Sequence, residues 1–331
     1  MAYLSSFVEL QKKPMANEVA LESGNLPRTE QLGFALMTLS LALITVFSCL
    51  RAANFIGHEA VDIAVIRVDD IQDYAFHDAQ IRLLQHSASG GFPLSLGIIA
   101  KDFGLDVDLV EAVRAAIRNG SEAAAHGWTH EDLAQFTTSE QKIQFLRAKN
   151  RIWNTLEVNT SVLIPPTYSY SIDTLRAMRQ AGYEIVSGYI DINNGGMSSE
   201  GIVSVPATTE LSELGGNNWT MKGVDEVMTA FNLSIKSNGY AVIVTHPQEF
   251  LQNRTFNENA FRRYCKVLDG ISSRFELTTL ERLKPRVLLA NLSASSLERL
   301  GLATLACLVI RSRAFEIVVS HCPDTGLSAR P

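Results

Sequence analysis

Between residues 61 and 278, short apolar runs alternate with longer amphipathic ones, and this rhythm limits the possible fold more than any other feature. Runs at 61–68, 94–100, 122–125, 161–164, 183–187, 202–205, 240–245 and 275–278 have strand length. The run at 94–100 is nearly all apolar, as expected when both faces of a parallel sheet are covered. Helices are predicted between them, around 77–86 and at 106–118, 139–157, 171–181, 223–236 and 256–268. In 106–118, Leu109, Val110, Val113 and Ile117 share one face, and Asn119-Gly120 ends the segment. Thr137 and Glu140 form a capping-box pair before 139–157, where Ile143, Leu146, Trp153 and Leu156 recur at helical spacing. Repeated strand–helix units imply a parallel sheet with right-handed crossovers. With about seven such units and no glycine-rich nucleotide loop, the expected fold is α/β, a distorted (β/α) barrel of about seven parallel strands.

The chain has 331 residues, room for one large domain with modest extensions or two small ones, and its 46% hydrophobic content predicts a packed core. A net charge of −6 and the lack of any Lys/Arg run argue against nucleic acid as a partner. Residues 32–50 carry no charge, and at about 1.5 Å of rise per residue they nearly span a hydrocarbon core. They are read as a transmembrane or signal-anchor helix, with a cleaved signal peptide as the rival. The expected organisation is therefore a polar segment at 1–31, the anchor at 32–50, a linker at 51–60, the main domain at 61–284 and an appended tail at 285–331. Asn-x-Ser/Thr sequons begin at Asn119, Asn159, Asn218, Asn232, Asn253 and Asn291. They lean toward a glycoprotein whose main domain lies outside the cytoplasm, membrane-anchored, or secreted as the alternative. Cys49, Cys265, Cys307 and Cys322 show no Cys-x-x-Cys spacing, so no thiolate metal cage is expected.

In a parallel barrel, functional groups gather at the C-terminal ends of the strands. Asp69-Asp70 ends the first strand, His126-Gly127-Trp128-Thr129-His130 follows the third, Pro165-Pro166-Thr167 ends a later one, and His246-Pro247 follows 240–245. Two imidazoles and one carboxylate make a three-ligand set with one open position, the arrangement of a catalytic metal, and a second carboxylate beside them supplies a base. Taken singly these clusters are weak; all four on one rim form a site. Asp73 reads as a solvated loop carboxylate, and His58, His77, His86 and His321 have no partner pattern. Trp128, Tyr168, Tyr170 and Tyr189 suit core or rim packing as well as stacking on a sugar ring. Asp191 is a candidate to orient His246.

These motifs resemble those of the polysaccharide deacetylases, the NodB-like carbohydrate esterases of family four that include chitin deacetylases. The resemblance covers roughly residues 61–284. Val68-Asp69-Asp70 is similar to the family's first motif and His126-Gly127-Trp128-Thr129-His130 to its His-x₃-His motif. Leu163-Ile164-Pro165-Pro166-Thr167 falls where an Arg-Pro-Pro-Tyr motif is expected, and Val244-Thr245-His246-Pro247 resembles the final histidine motif. The stretch from Asp69 to Tyr74 with His126-Gly127-Trp128 also resembles an archaeal-type subgroup of deacetylases. The resemblance implies that Asp70, His126 and His130 hold a divalent metal, most often zinc, with Co²⁺, Ni²⁺ or Mn²⁺ as alternatives. It further implies that Asp69 is the general base, that His246 is the general acid, and that the Thr167 backbone N–H helps stabilise the oxyanion. The expected activity is removal of N-acetyl groups from an amino-sugar glycan, with no protein partner. Two departures stand out: Ile164 replaces an arginine that pairs with the base, and Ile71 replaces a glycine. A non-catalytic glycan-binding module on the same barrel is one alternative. An Fe(II) facial-triad oxygenase is another, although such sites favour an all-β scaffold with the carboxylate close to the first histidine in sequence.

Overall fold

The computed structural model describes residues 62–188, 191, 195–215 and 218–290. The segment at 32–50, the linker, Cys49, His58, Tyr189, and the tail beyond 290 with Asn291, Cys307, His321 and Cys322 lie outside these residues. Among the described residues no helix is long and apolar enough to cross a membrane, and Cys265 is a free thiol.

The strands are β1 (Ile63–Ile71), β2 (Leu94–Ile98), β3 (Glu122–Ala125), β4 (Val162–Leu163), β5 (Ile185–Val186), β6 (Gly196–Met197), β7 (Val203–Ser204), β8 (Thr209–Glu210), β9 (Ser212–Gly215), β10 (Asn218–Met221), β11 (Tyr240–Thr245), β12 (Leu251–Gln252), β13 (Thr255–Phe256) and β14 (Glu276–Thr278). The helices are α1 (His77–Gly90), α2 (Val107–Arg118), α3 (Thr138–Leu156), α4 (Ile172–Gln180), α5 (Val224–Asn238), α6 (Glu258–Ser272) and α7 (Leu280–Ala290). A ten-stranded sheet runs β6-β7-β5-β4-β3-β2-β1-β11-β8, with β14 beside the start of β1. Every pairing in it is parallel except β6 with β7. The expected barrel is thus corrected in its closure: among the described residues β6 and β8 do not pair, so the sheet curls without closing.

Alternate residues of each strand enter two separate cores, as the period of a strand requires. Ala64, Ile66 and Val68 pack outward with the helices α1–α6. Ile63 and Val65 face the concave side, where Val162, Ile185, Val203 and Val242 meet Leu283 and Val287 of α7. This last helix therefore fills the hollow, and it continues past residue 284 to Ala290. Its start is fixed by Glu122, which accepts hydrogen bonds from the backbone N–H of Leu280 (2.9 Å) and Glu281 (3.1 Å).

The capping box at Thr137 and Glu140 is present at the start of α3, and of the four apolar residues noted at helical spacing only Leu156 lies on the buried face. Ile143, Leu146 and Trp153 are 53%, 40% and 49% exposed, whereas Gln141, Phe145, Ala148, Ile152 and Leu156 are buried. Both stripes follow helical spacing. Contact of the Phe145 ring with Tyr183 (5.6 Å between centroids) belongs to the stripe that faces the core.

Candidate metal centre

The C-terminal end of β1 separates its two aspartates with a bulge. The β1–β2 register shifts between Val68 and Ile71, and Asp70 has a left-handed φ of 62°, a conformation Asp tolerates better than most residues. Asp69 consequently stays on the concave face while Asp70 turns toward the loop after β3. That loop is folded back by Glu131, whose carboxylate accepts from Trp128 N (3.1 Å), Thr129 N (2.5 Å) and Thr129 Oγ1 (3.0 Å). Gly127 (φ 71°) fits only without a side chain, since a Cβ there would stand 2.9 Å from Pro166 Cγ.

His126 and His130 each direct Nε2 at Asp70 Oδ1, at 3.1 and 3.2 Å. One ligand atom from each of Asp70, His126 and His130 lies within 4.8 Å of the others. The chemistry of these donors fits a divalent cation. His126 Nδ1 lies 2.8 Å from the Ile164 carbonyl; a carbonyl only accepts, so Nδ1 carries the hydrogen, and Nε2 of the neutral ring presents its lone pair. Asp70 Oδ1 is buried and is faced by these two Nε2 atoms. Lone pairs facing one another across this gap call for positive charge between them. With protons in place of a cation in the gap, burial alone would raise the pKa of Asp70, but hydrogen bonds from His126 and His130 bring it far below the usual carboxylate range. The same contact with Asp70 raises the pKa of His130.

Asp69 lies beside this triplet, buried, in a two-pronged pair with Arg67: Nε to Oδ1 at 2.9 Å and Nη2 to Oδ2 at 2.7 Å. The guanidinium is itself fully buried and also donates to the Ser187 carbonyl (2.8 Å) and Ser187 Oγ (3.0 Å), under the Tyr168 ring. The arginine expected at position 164 is therefore supplied from β1, two residues before Asp69. A Cβ on Gly97 would stand 3.2 Å from Asp69 Oδ1 and 3.4 Å from Ile164 Cδ1, so both strand positions border one space. The signal in the sequence was a charged residue inside a strand whose every residue is buried.

His246 Nε2 sits 3.9 Å from Asp69 Oδ2, too far for a direct hydrogen bond. Its Nδ1 meets Glu249 Oε1 at 2.8 Å, so Glu249 orients it, not Asp191. Glu249 is braced by Thr245 Oγ1 (2.8 Å) and Ser212 Oγ (2.9 Å). Burial alone would lower the pKa of His246, yet the Glu249 hydrogen bond and the charge of Asp69 raise it to about 8. Trp219 of β10 lies over the imidazole, 5.1 Å between centroids, a contact that no spacing in the sequence announced. Gln248 Nε2 donates to Asp70 Oδ2 at 2.7 Å.

Thr167 is exposed in the one-turn helix Pro166–Tyr168 with a φ of 53°, against the Gly127 loop. Asp73 pins a loop by accepting from Leu105 N (2.6 Å). Trp128 and Tyr170 pack on the outer core.

Fold and site together define an α/β domain with a candidate divalent-cation site at the C-terminal rim of a parallel sheet. Residues 94–186 match a family model described as polysaccharide deacetylase, which bears out the sequence resemblance. The match takes in His126, His130 and Thr167, while Asp69, Asp70 and His246 flank it. The fold is similar to that of a candidate polysaccharide deacetylase from Mycobacterium smegmatis, at 16% identity and a TM-score of 0.55, over 70% of this chain and 91% of the other. A second candidate polysaccharide deacetylase, from Pseudomonas aeruginosa PAO1, is 14% identical with a TM-score of 0.51, over 69% and 91%. The Puue allantoinase is similar too, at 12% identity and a TM-score of 0.51, over 69% and 91%. No curated protein sequence matches the chain.

Proposed function

We propose that this protein is a metal-dependent hydrolase that removes N-acetyl groups from an amino-sugar glycan, with zinc, or Co²⁺, Ni²⁺ or Mn²⁺, held by Asp70, His126 and His130. One observation carries the reading: three cation-ligand atoms converge within 4.8 Å, beside a buried carboxylate and an imidazole set 3.9 Å apart. A divalent cation held there by Asp70, His126 and His130 would supply Lewis acidity toward water and the acyl oxygen. Asp69, fixed by Arg67, accepts the proton of the attacking water. The Thr167 backbone N–H donates to the oxyanion that forms. His246, protonated below pH of about 8 and aligned by Glu249, delivers a proton from Nε2 to the departing nitrogen. The gap between Asp69 and His246 suits groups acting on opposite sides of the scissile bond. The non-catalytic reading rested on the missing arginine at position 164, and the pairing of Arg67 with Asp69 removes that ground.

Acetate release from chitin oligomers and peptidoglycan fragments, measured together with bound metal, tests the reading. Asp69→Ala should abolish turnover and keep the metal; Asp70→Ala should lose both. Metal-loaded protein that frees no acetate from any N-acetylhexosamine glycan would refute it.

A further inference from the structure

After β11 the chain passes through His246-Pro247-Gln248-Glu249 in a single turn, the short helix Pro247–Phe250. Glu249 holds His246 (2.8 Å), while Gln248 reaches the other way and donates from Nε2 to Asp70 Oδ2 (2.7 Å). A carboxylate oxygen only accepts, so chemistry fixes which end of the Gln248 amide faces it. The other end, Oε1, is buried without a hydrogen-bond partner among the described residues. The amide thus leaves its own acceptor unsatisfied while securing the oxygen of Asp70 that the histidines do not face.

We propose that Gln248 is a positioning residue of the cation site. By occupying Oδ2 it confines Asp70 to ligation through Oδ1 alone. A carboxylate free to swing would offer both oxygens and take up the coordination position that water and substrate need. The same turn then ties the ligand set to the proton donor, because Gln248 and Glu249 are neighbours on it. The inference rests on the cation site proposed above, and partners that hydrogen-bond to metal ligands commonly govern affinity by about 10- to 100-fold.

The test uses the full chain and three variants: Gln248→Met, close in volume but without a donor, Gln248→Ala, and Glu249→Gln as a control on the same turn. Zinc affinity is read by competition with a chromophoric chelator, and coordination by the visible absorption of the Co²⁺ form. Both Gln248 variants should bind zinc about 10- to 100-fold more weakly. Their cobalt bands should lose intensity as the coordination number rises, while metal-free melting stays as in the wild type and Glu249→Gln changes neither metal readout. Wild-type affinity and an unaltered cobalt spectrum in Gln248→Met would overturn the proposal, as would equal weakening by Glu249→Gln. Wild-type protein that binds neither ion would overturn the cation site itself, which separates that failure from this one.

Discussion

Arg67 shows how much one side chain can settle. Desolvating a guanidinium costs several kcal/mol, and the two-pronged pair with Asp69 together with the Ser187 contacts offsets that cost. Removing it in Arg67→Leu leaves a buried carboxylate alone, which should destabilise the fold by about 3–5 kcal/mol. Loss of alignment at the base should lower kcat by about 100-fold with KM and bound metal little changed. Because Ile164 borders the same space, Arg67→Leu combined with Ile164→Arg should recover much of the activity; kinetics and melting of both variants check this. His246 offers a second expectation. Its raised pKa means that its contribution to stability is full below its ordinary 6.5 and is lost as pH rises through about 8. The alkaline limb of kcat/KM should accordingly fall near pH 8 and move downward in Glu249→Gln, and a pH–rate profile with an unmoved limb would contradict the role given to Glu249.

Among the elements, α7 is held at its start by Glu122 together with Ser95, whose Oγ also accepts from Leu280 N (3.0 Å). Burial pushes the Glu122 carboxyl up to about 7, against the pull of its hydrogen bonds from Ser95 and the α7 backbone. The native state then holds a proton that the unfolded chain releases, so stability declines between about pH 4.5 and 7. Melting curves at pH 5 and 8 should differ less in Glu122→Gln than in the wild type. Elements were legible in the sequence to unequal degrees. β3 and β11 match the expected 122–125 and 240–245 because an apolar run there is cut off sharply by the polar residues of the site. β4, β5 and β7 are shorter than expected, and the antiparallel β6 and the hairpin β9–β10 left no trace, since pairings of two to four residues carry little periodicity. On α3 the exposed stripe imitates a core face, and only its neighbours decide between the two. The triplet of Asp70, His126 and His130 was readable because each member ends a strand or follows one. Gln248 and Glu249 were not, because their roles arise from a turn whose direction is fixed by distant contacts.

For the molecule as a whole, the shared fold does not select the substrate: the Puue allantoinase has a similar fold, and substrate choice in such folds resides in the loops after the strands. Topology has another effect, on the order of assembly. β1 is the earliest described strand, yet its edges are completed by β11 and β14, close to the other end of the described chain. The concave core below it stays uncovered until α7 is in place. Contacts so remote in sequence make for slow folding and prolonged exposure of apolar surface. On a ribosome, the strand that bears Arg67, Asp69 and Asp70 emerges before these partners and waits for them, so the rim at its end is finished only after β11 and β14 have followed.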